Sequence, residues 1–352
     1  MSRFFTEKYA SLVPYTPGEQ PQDMQYVKLN TNESPFPPSP GVAAAAAKEA
    51  GNCRLYSDPE SRLVSEAFAN SLGLERSQVL AVNGSDEALN FAFMAFGKKL
   101  YFPDISYGFY PVFAALNHIP YTEIPLREDL RLSVEDYCGL DGMVVLANPN
   151  APTGIALRLD EVERIVRSNP DQVVLIDEAY VDFGAQSAVG LLEKYENLLV
   201  VQTFSKSRSL AGARLGFAIG GEALIRDMNT IKYSTNPYNV NRMTAAAGAA
   251  ALAEDAYYRQ NARTIVENRR YTTDALRDLG FTVPESSANF IFARSDTVGG
   301  EALYRGLKAR GVLVRHFSKP RIADFVRVTI GTREQMEVFL RETEAILKEA
   351  EA

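Results

Sequence analysis

Short apolar runs, each four or five residues long, alternate with polar stretches through the first two thirds of the chain. Runs of this length that are rich in Val, Ile and Phe are typical of buried strands. Helical stretches separate most of them, which predicts an α/β fold. The run at 173–176 is apolar throughout, as is typical of a central parallel strand. The predicted strands lie at residues 78–82, 99–102, 143–147, 173–176, 198–201 and 216–220.

Helix start and stop signals occupy much of the remaining chain. Ser39-Pro40 begins an alanine-rich helix that Gly51 ends, and Pro59 is expected in the first turn of a second helix that Gly73 ends. Further helical stretches are predicted before Gly97, at 159–169, after residue 222 and from residue 333.

The C-terminal part of the chain alternates strand and helix, with elements predicted at residues 289–293, 301–310, 312–315 and 325–330. We interpret this part as a smaller α/β domain that the proline-rich N-terminal arm completes. A chain of 352 residues also favours two domains. The predicted division assigns residues 36–250 to the large domain, and residues 1–35 with 251–352 to the small domain.

A lysine, Lys206, lies in the polar loop that follows the 198–201 strand. Open α/β sheets bind their ligands beside the carboxyl ends of the strands. Hydroxyls precede the lysine at Thr203 and Ser205, and Arg214 follows it, so these residues could hold a phosphate. A lysine beside a phosphate site suits a Schiff base with a phosphorylated aldehyde, whereas a lone loop lysine is usually only solvated.

A carboxylate, Asp177, ends the apolar run at 173–176. A buried charge is costly unless it has a partner, and the protonated nitrogen of a pyridine ring would provide one. The alternative is that Asp177 merely caps the following turn.

A glycine turn at residues 83–86 follows the first strand of the predicted sheet and begins a helix. Free backbone N–H groups at such a helix start bind phosphate. The turn is no dinucleotide fingerprint, since the chain contains no G-x-G-x-x-G pattern. Together with the lysine loop it predicts a phosphate cup, formed by Gly84, Ser85, Asp86, Thr203, Ser205 and Arg214.

Composition and charge narrow the class of protein. The 37 basic and 44 acidic residues give a net charge of −7, which argues against a nucleic-acid partner. No apolar run approaches the roughly 18 residues of a membrane span, and the N-terminus lacks the apolar core of a signal peptide. Two cysteines and two histidines offer no metal or redox spacing. We therefore expect a cytoplasmic protein that binds small molecules and no metal.

The pattern T-x-S-K-x-x-x-L-x-G-x-R-x-G around Lys206 resembles the cofactor-lysine motif of fold-type I aminotransferases, which use pyridoxal 5′-phosphate (PLP). The resemblance implies a large domain with a mostly parallel, seven-stranded sheet. It makes Lys206 the Schiff-base lysine and the base that moves the substrate's proton. The family's D-x-x-Y pair corresponds to Asp177, expected at the pyridine nitrogen, and Tyr180, expected at the phenolic oxygen. Tyr107 matches the aromatic residue that stacks on the ring, while Tyr110 is expected in the core.

The loop at residues 148–154 resembles the family's N-N-P-T-G loop, whose asparagine just before Pro-Thr-Gly bonds the phenolic oxygen of the cofactor. Here Ala151 occupies that position. Either Asn150, one residue earlier, takes over this hydrogen bond, or Tyr180 carries it alone.

Two N-terminal phrases, at residues 12–18 and 29–35, resemble the histidinol-phosphate aminotransferases. In that branch the tyrosine that matches Tyr15 reaches the substrate. The arginines that match Arg315 and Arg327 bind the anionic end of the substrate. Tyr56, in a Y-x-D-P phrase, matches a tyrosine that crosses a homodimer to the partner's cofactor phosphate.

The resemblance implies transamination in histidine biosynthesis, with histidinol phosphate as amine donor and 2-oxoglutarate as acceptor. Two alternatives share the fold, namely an aromatic amino acid aminotransferase and a PLP-dependent decarboxylase such as threonine-phosphate decarboxylase. A non-catalytic, regulatory cofactor-binding domain is a third alternative, which the absence of a DNA-binding extension disfavours.

Overall fold

The computed structural model describes residues 2–351 of the chain. Its α-helices in this range are α1 (Pro40–Ala50), α2 (Arg62–Leu72), α3 (Ser85–Phe96), α4 (Phe109–Leu116), α5 (Leu159–Ser168), α6 (Glu222–Thr235), α7 (Arg242–Ala253), α8 (Asp255–Asp278), α9 (Gly300–Ala309) and α10 (Arg333–Glu351). The strands are β1 (Val27–Lys28), β2 (Val79–Val82), β3 (Leu100–Pro103), β4 (Tyr121–Ile124), β5 (Met143–Ala147), β6 (Val174–Asp177), β7 (Leu198–Thr203), β8 (Gly216–Gly220), β9 (Phe281–Thr282), β10 (Phe290–Ser295), β11 (Val312–Leu313), β12 (Arg315–His316) and β13 (Phe325–Thr329).

Seven strands form the large sheet, in the order β2-β8-β7-β6-β5-β3-β4. Only β8 runs against its neighbours, because the loop at residues 204–215 returns the chain from β7 to β8 without a crossover helix. The remaining pairs are parallel, as expected for strands joined through helices. The predicted fold class, a mostly parallel seven-stranded sheet between helices, is therefore confirmed.

Apolar layers cover both faces of this sheet. One layer packs helices α1, α2, α5 and α7 against it, through residues such as Phe68 and Ile165. The opposite layer packs α3, α4 and α6 against it, through residues such as Phe93 and Met228. All four residues of β6 are buried, which explains why its sequence is a continuous apolar run rather than an alternating one.

Helix α2 begins later than the sequence indicates. Pro59 lies outside the helix, and the expectation that it occupies the first turn is wrong. The carboxylate of Asp58 accepts hydrogen bonds from the backbone N–H groups of Glu60 and Arg62, which closes a separate turn ahead of the helix. Ser61, with φ 47°, then redirects the chain into α2.

The C-terminal residues form a second, antiparallel sheet in the order β12-β13-β10-β9. Helices α8, α9 and α10 pack against it in a separate apolar cluster that includes Phe290 and Phe339. The N-terminal arm adds β1, which pairs in parallel with β11. The single strand predicted at 312–315 is therefore divided between two sheets. The division into domains at residues 35 and 250 stays a prediction.

The carboxyl ends of β2, β3, β5, β6 and β7 lie along one edge of the large sheet, and the antiparallel β8 begins at the same edge. The loops that carry Tyr107, Tyr180 and Lys206 leave the sheet there, whereas Arg315 and Arg327 lie on strands of the small sheet. Within residues 2–351, none of the helices combines the length and the apolar character that crossing a bilayer would require.

Candidate active site

The candidate site lies between the large sheet, the N-terminal arm and the small sheet. Two adjoining cavities of about 570 and 380 Å³ share Lys206, Tyr180, Tyr107 and Arg214 in their walls. The larger one opens toward β12 and β13, and the smaller one reaches the start of α3. A further cavity of about 440 Å³ lies behind the lysine loop, against α8, and contains none of the predicted site residues.

The amine of Lys206 is enclosed by the N-terminal arm. Its Nζ donates a hydrogen bond to the backbone carbonyl of Thr31 at 3.2 Å and lies 5.9 Å from the centre of the Tyr180 ring. Burial lowers the pKa of Lys206 to about 8, and the Arg327 guanidinium acts in the same direction. An appreciable part of the amine is therefore neutral near neutral pH, the form that a nucleophile or a base requires.

Asp177 ends β6 beneath the cavity and is 5% exposed. Its Oδ2 accepts a hydrogen bond from the hydroxyl of Tyr110 at 3.0 Å, and its Oδ1 accepts one from the backbone N–H of Ala179 at 3.2 Å. Burial raises the pKa of Asp177 to about 6. Among residues 2–351 no lysine or arginine forms an ion pair with it. A cationic group in the cavity would therefore find an unpaired carboxylate.

The phosphate cup combines the start of α3 with the loop between β7 and β8. The hydroxyls of Thr203 and Ser205 lie 2.9 Å apart, and Arg214 Nη2 pairs with Asp86 Oδ2 at 3.2 Å. Asp86 also accepts a hydrogen bond from the Tyr107 hydroxyl at 2.7 Å, so one carboxylate positions the guanidinium and the aromatic ring.

Glycines allow the two halves of the cup to approach each other. Gly84 precedes α3 with φ +80°, and a side chain there would overlap the Arg214 guanidinium. A Cβ atom at Gly216 would lie 2.6 Å from the backbone nitrogen of Ser85. Hydroxyls, a guanidinium and helix N–H groups thus converge on one small cavity that also contains Lys206, so the residues fit PLP.

Tyr180 lines both cavities, and its contact with the phenolic oxygen stays a prediction. Its oxygen accepts a hydrogen bond from Asn32 Nδ2 at 2.9 Å. Ala151, in place of the family's asparagine, also lines both cavities.

Asn150 is turned away from this position. Its Nδ2 donates to the carbonyl of Ile105 and to the Thr153 hydroxyl, both at 3.0 Å, while its Oδ1 accepts from Ser106 at 2.9 Å. Both amide hydrogens are therefore used within the protein, and the side chain only fixes its own loop. This geometry disagrees with the alternative in which Asn150 contacts the cofactor, and Asn150 lines neither cavity. The alternative in which Tyr180 carries the contact alone stays a prediction.

Arg315 and Arg327 lie directly opposite each other on β12 and β13. Arg327 Nη2 donates to the carbonyl of Asn30 at 2.9 Å, while its buried Nε has no partner among residues 2–351. Burial lowers the pKa of Arg327. Tyr15, from the N-terminal arm, stacks on Phe109 at 4.1 Å between ring centres and lines the same cavity as both arginines.

Tyr56 is not part of the site within one chain. Its side chain is 79% exposed and stacks on Tyr238 at 4.6 Å between ring centres. Arg242 donates a hydrogen bond to its carbonyl at 3.2 Å.

Two residues near the site have contacts that the sequence does not reveal. Tyr110, expected in the core, is indeed fully buried but also hydrogen-bonds Asp177. Asn32, which hydrogen-bonds Tyr180, lies in the phrase at 29–35 that carries part of the family resemblance. Because Asn32 is a polar residue inside that phrase, the sequence could have indicated that it lies at the site. The position of Tyr110, one helical turn after Tyr107, fits a core residue equally well.

Comparisons with known proteins agree with this geometry. The family model for class I and II aminotransferases matches residues 24–342. A histidinol-phosphate aminotransferase of Marinomonas sp. is 49% identical over 343 residues, which are 96% of this chain and 97% of the relative. Another, from Brachyspira hyodysenteriae, is 46% identical over 353 residues, which are 99% of this chain and 100% of the relative. The chain belongs to the histidinol-phosphate aminotransferase family.

The structural comparison gives the same fold. The crystal structure of histidinol-phosphate aminotransferase from Sinorhizobium meliloti in complex with pyridoxal-5′-phosphate has a TM-score of 0.89, at 22% identity and with 99% of each chain covered. The protein is therefore a PLP-dependent aminotransferase of fold type I, acting on small molecules.

Proposed function

We propose that the protein transfers the amine of histidinol phosphate to 2-oxoglutarate, as a cytoplasmic step of histidine biosynthesis. The paired arginines Arg315 and Arg327, on one face of the small sheet beside the Lys206 cavity, are the observation that carries this substrate. The names of the relatives support the same reaction.

PLP supplies an electron sink for the carbon that bears the substrate amine. The chain would hold it through the helix N-terminus at Ser85, the Ser205 hydroxyl and the Arg214 guanidinium. Asp177 would keep its charge opposite the pyridine nitrogen, since the Tyr110 hydroxyl and the Ala179 N–H already stabilise the ionised carboxylate. Tyr107 would cover the ring, and its link to Asp86 limits its movement.

Lys206 has two roles in this proposal. Its amine would be the covalent attachment point for PLP. Once released from PLP, the same amine would be the base that takes the proton from the substrate carbon that bears the amine. A pKa lowered to about 8 suits both roles, because the neutral amine is accessible without a strong external base.

The other end of the substrate is a phosphate. Two guanidinium groups on opposed strands that line one cavity can bind it with charge-assisted hydrogen bonds. Tyr15 and its neighbour Phe109 provide an aromatic wall for an imidazole ring, and Tyr15 comes from the arm that covers the cavity.

An amine-donor screen tests the substrate. Purified protein with PLP and 2-oxoglutarate is given histidinol phosphate, phenylalanine, tyrosine or threonine phosphate, and glutamate and CO₂ are both measured. We expect glutamate formation with histidinol phosphate at the highest kcat/KM and no CO₂. A preference for phenylalanine would indicate an aromatic aminotransferase instead, and CO₂ from threonine phosphate without glutamate would indicate a decarboxylase.

We also propose that the protein is a homodimer in which Tyr56 completes the partner's phosphate cup. Tyr56 and Leu55 are exposed next to each other, and Tyr238 and Met243 add further exposed apolar surface at the start of α7. Such a surface is costly to leave in water and is typical of an interface.

A further inference from the structure

Asn32 is a buried residue with an unusual backbone conformation and a complete set of hydrogen bonds. It is 1% exposed and has φ +57°, in the left-handed region that asparagine and glycine tolerate. Its carbonyl accepts a hydrogen bond from Asn289 Nδ2 at 3.0 Å, which ties the N-terminal arm to the small sheet.

The contacts with Thr329 determine how the Asn32 amide is oriented. The backbone N–H of Asn32 donates to Thr329 Oγ1 at 2.9 Å, and the same hydroxyl lies 3.1 Å from Asn32 Oδ1. That hydroxyl donates its single hydrogen to Asn32 Oδ1. Oδ1 therefore faces Thr329, and Nδ2 faces Tyr180, 2.9 Å away.

This orientation constrains the hydroxyl hydrogen of Tyr180. The Tyr180 oxygen receives a hydrogen from Asn32, so its own hydrogen must point elsewhere. In the described part of the chain, no other group hydrogen-bonds this oxygen, and the side chain lines both cavities. The hydrogen is thus directed toward whatever occupies the cavity.

We propose that Asn32 is a positioning residue that makes Tyr180 an obligatory hydrogen-bond donor to the phenolic oxygen of PLP. The inference rests on the proposed role of Tyr180. It has particular weight in this chain because Ala151 supplies no donor and Asn150 uses both of its amide hydrogens elsewhere. Tyr180 then carries the contact alone, and the direction of its hydrogen decides whether the contact exists.

Several charged or titratable groups also face Tyr180. They are Asp86, Asp177, Lys206 and Arg327, together with the hydroxyls of Tyr15 and Tyr107. None of them is hydrogen-bonded to the Asn32 side chain, whose partners are Tyr180 and Thr329. Removal of the amide therefore takes no hydrogen bond from them.

The test is the pH titration of the visible absorption band of the PLP-bound protein. A hydrogen-bond donor at the phenolic oxygen of PLP stabilises the negative charge on that oxygen. It therefore lowers the pKa of the proton that the oxygen shares. Asn32→Gly removes the amide and keeps the left-handed backbone, and it should raise the titration midpoint. Loss of one hydrogen bond to a charged oxygen predicts a rise on the order of one pH unit for Tyr180→Phe, and a part of that rise for Asn32→Gly.

A double-mutant cycle separates positioning from general destabilisation. Asn32→Gly in the Tyr180→Phe background should add almost no further rise, because the two residues act through one contact. Asn268→Ala serves as the matched control. It removes a buried amide that donates to the carbonyl of Gly331, which should lower Tm and leave the midpoint unchanged.

Each outcome of the cycle decides the proposal. A rise in Asn32→Gly that disappears in the double variant supports it. A midpoint in Asn32→Gly equal to that of the parent, with Tyr180→Phe shifted, overturns the role of Asn32 and leaves that of Tyr180 intact. Equal rises with and without Tyr180 also overturn it, since Asn32 would then act by another route. No shift in Tyr180→Phe overturns both roles.

Discussion

At the scale of single residues, Arg327 and Arg315 differ in how far the protein encloses their guanidinium groups. Arg327 is enclosed beside Tyr15 and Tyr180, and burial already lowers its pKa. Arg315 is more open, and its hydrogen bonds within residues 2–351 are long, 3.5 Å each, to the carbonyls of Thr16 and Pro17. An anion would therefore gain more from the enclosed guanidinium, where water competes less.

Alanine variants of the two arginines test this difference. Losing a hydrogen bond to a charged group costs about 1.5–3 kcal/mol, or roughly ten- to a hundredfold. We expect Arg327→Ala to lower kcat/KM for histidinol phosphate by roughly a hundredfold, and Arg315→Ala by roughly tenfold. Steady-state kinetics measure both, and the PLP spectrum should not change.

The matched control is Arg305→Ala on α9, whose side chain is 74% exposed and pairs only with Glu301. Its kcat/KM for histidinol phosphate should equal that of the parent protein. If Arg315→Ala also has the kcat/KM of the parent, Arg315 is a solvated strand residue and the phosphate proposal rests on Arg327 alone.

The residues that sequence reasoning brings to the site are those with a fixed spacing to a strand end. Lys206, Asp177 and Tyr180 all follow buried strands, and the parallel sheet carries them to one edge. The hydrogen-bond partners of these residues were not predictable in the same way. Whether Asn150 faces the cavity or its own loop depends on contacts with Ile105 and Ser106, which come from another strand end.

At the scale of elements, the start of α3 decides the shape of the phosphate cup. Gly84→Ala places a methyl group against the Arg214 guanidinium and forces alanine into φ +80°. This backbone conformation, with φ 80° and ψ 158°, is adopted almost only by glycine and costs alanine about 1–3 kcal/mol. Displacement of Arg214 adds the loss of a charge-assisted contact to the phosphate. We expect PLP to bind at least about tenfold more weakly, measured by equilibrium dialysis.

Gly73→Ala is the control for the backbone cost. Gly73 ends α2 with φ +70°, and a Cβ atom there would meet nothing within 4 Å. Its left-handed conformation, with ψ 27°, costs alanine about 1–2 kcal/mol. The variant should lose thermal stability accordingly and bind PLP like the parent. Equal PLP affinity in Gly84→Ala and Gly73→Ala would contradict the proposed cup.

Elements that are buried on both faces were predictable, and half-exposed ones were not. Strand β6 has four buried residues and a clear apolar run, whereas β4 has three exposed residues and no pattern that separates it from a loop. The direction of β8 also escapes the sequence, because an apolar run of five residues has the same appearance in either orientation. The delayed start of α2 follows from the Asp58 side chain, a local hydrogen bond that overrides the proline signal.

At the scale of the whole molecule, the N-terminal arm joins the two halves of the site. Strand β1 extends along β11, and Glu19 bonds Tyr304 and Lys308 of α9. Thr31 then reaches Lys206. The arm is therefore held on the small-sheet side while its tip covers the lysine, so that one segment connects substrate cavity and cofactor cavity. These long-range contacts explain why an irregular, proline-rich sequence is nevertheless ordered.

The proposed dimer gives Tyr56 a role that a single chain does not explain. An aromatic side chain that is 79% exposed and stacked only on Tyr238 is costly to keep in water. In a symmetric dimer each Tyr56 would reach the cup of the other subunit. Each site would then need Lys206 from one chain and Tyr56 from its partner.

Mixed dimers test this arrangement. Lys206→Ala should abolish turnover, and Tyr56→Ala should weaken PLP binding enough to reduce activity at limiting PLP by about tenfold. In a dimer with one chain of each variant, one site carries both defects and the other carries none. Co-expression with random pairing should therefore restore about a quarter of the parent activity at limiting PLP. Co-expression of Lys206→Ala with the parent chain measures how much activity is lost when inactive chains merely dilute active ones. If the mixture of variants is no more active than Tyr56→Ala diluted to the same extent, Tyr56 does not act across an interface.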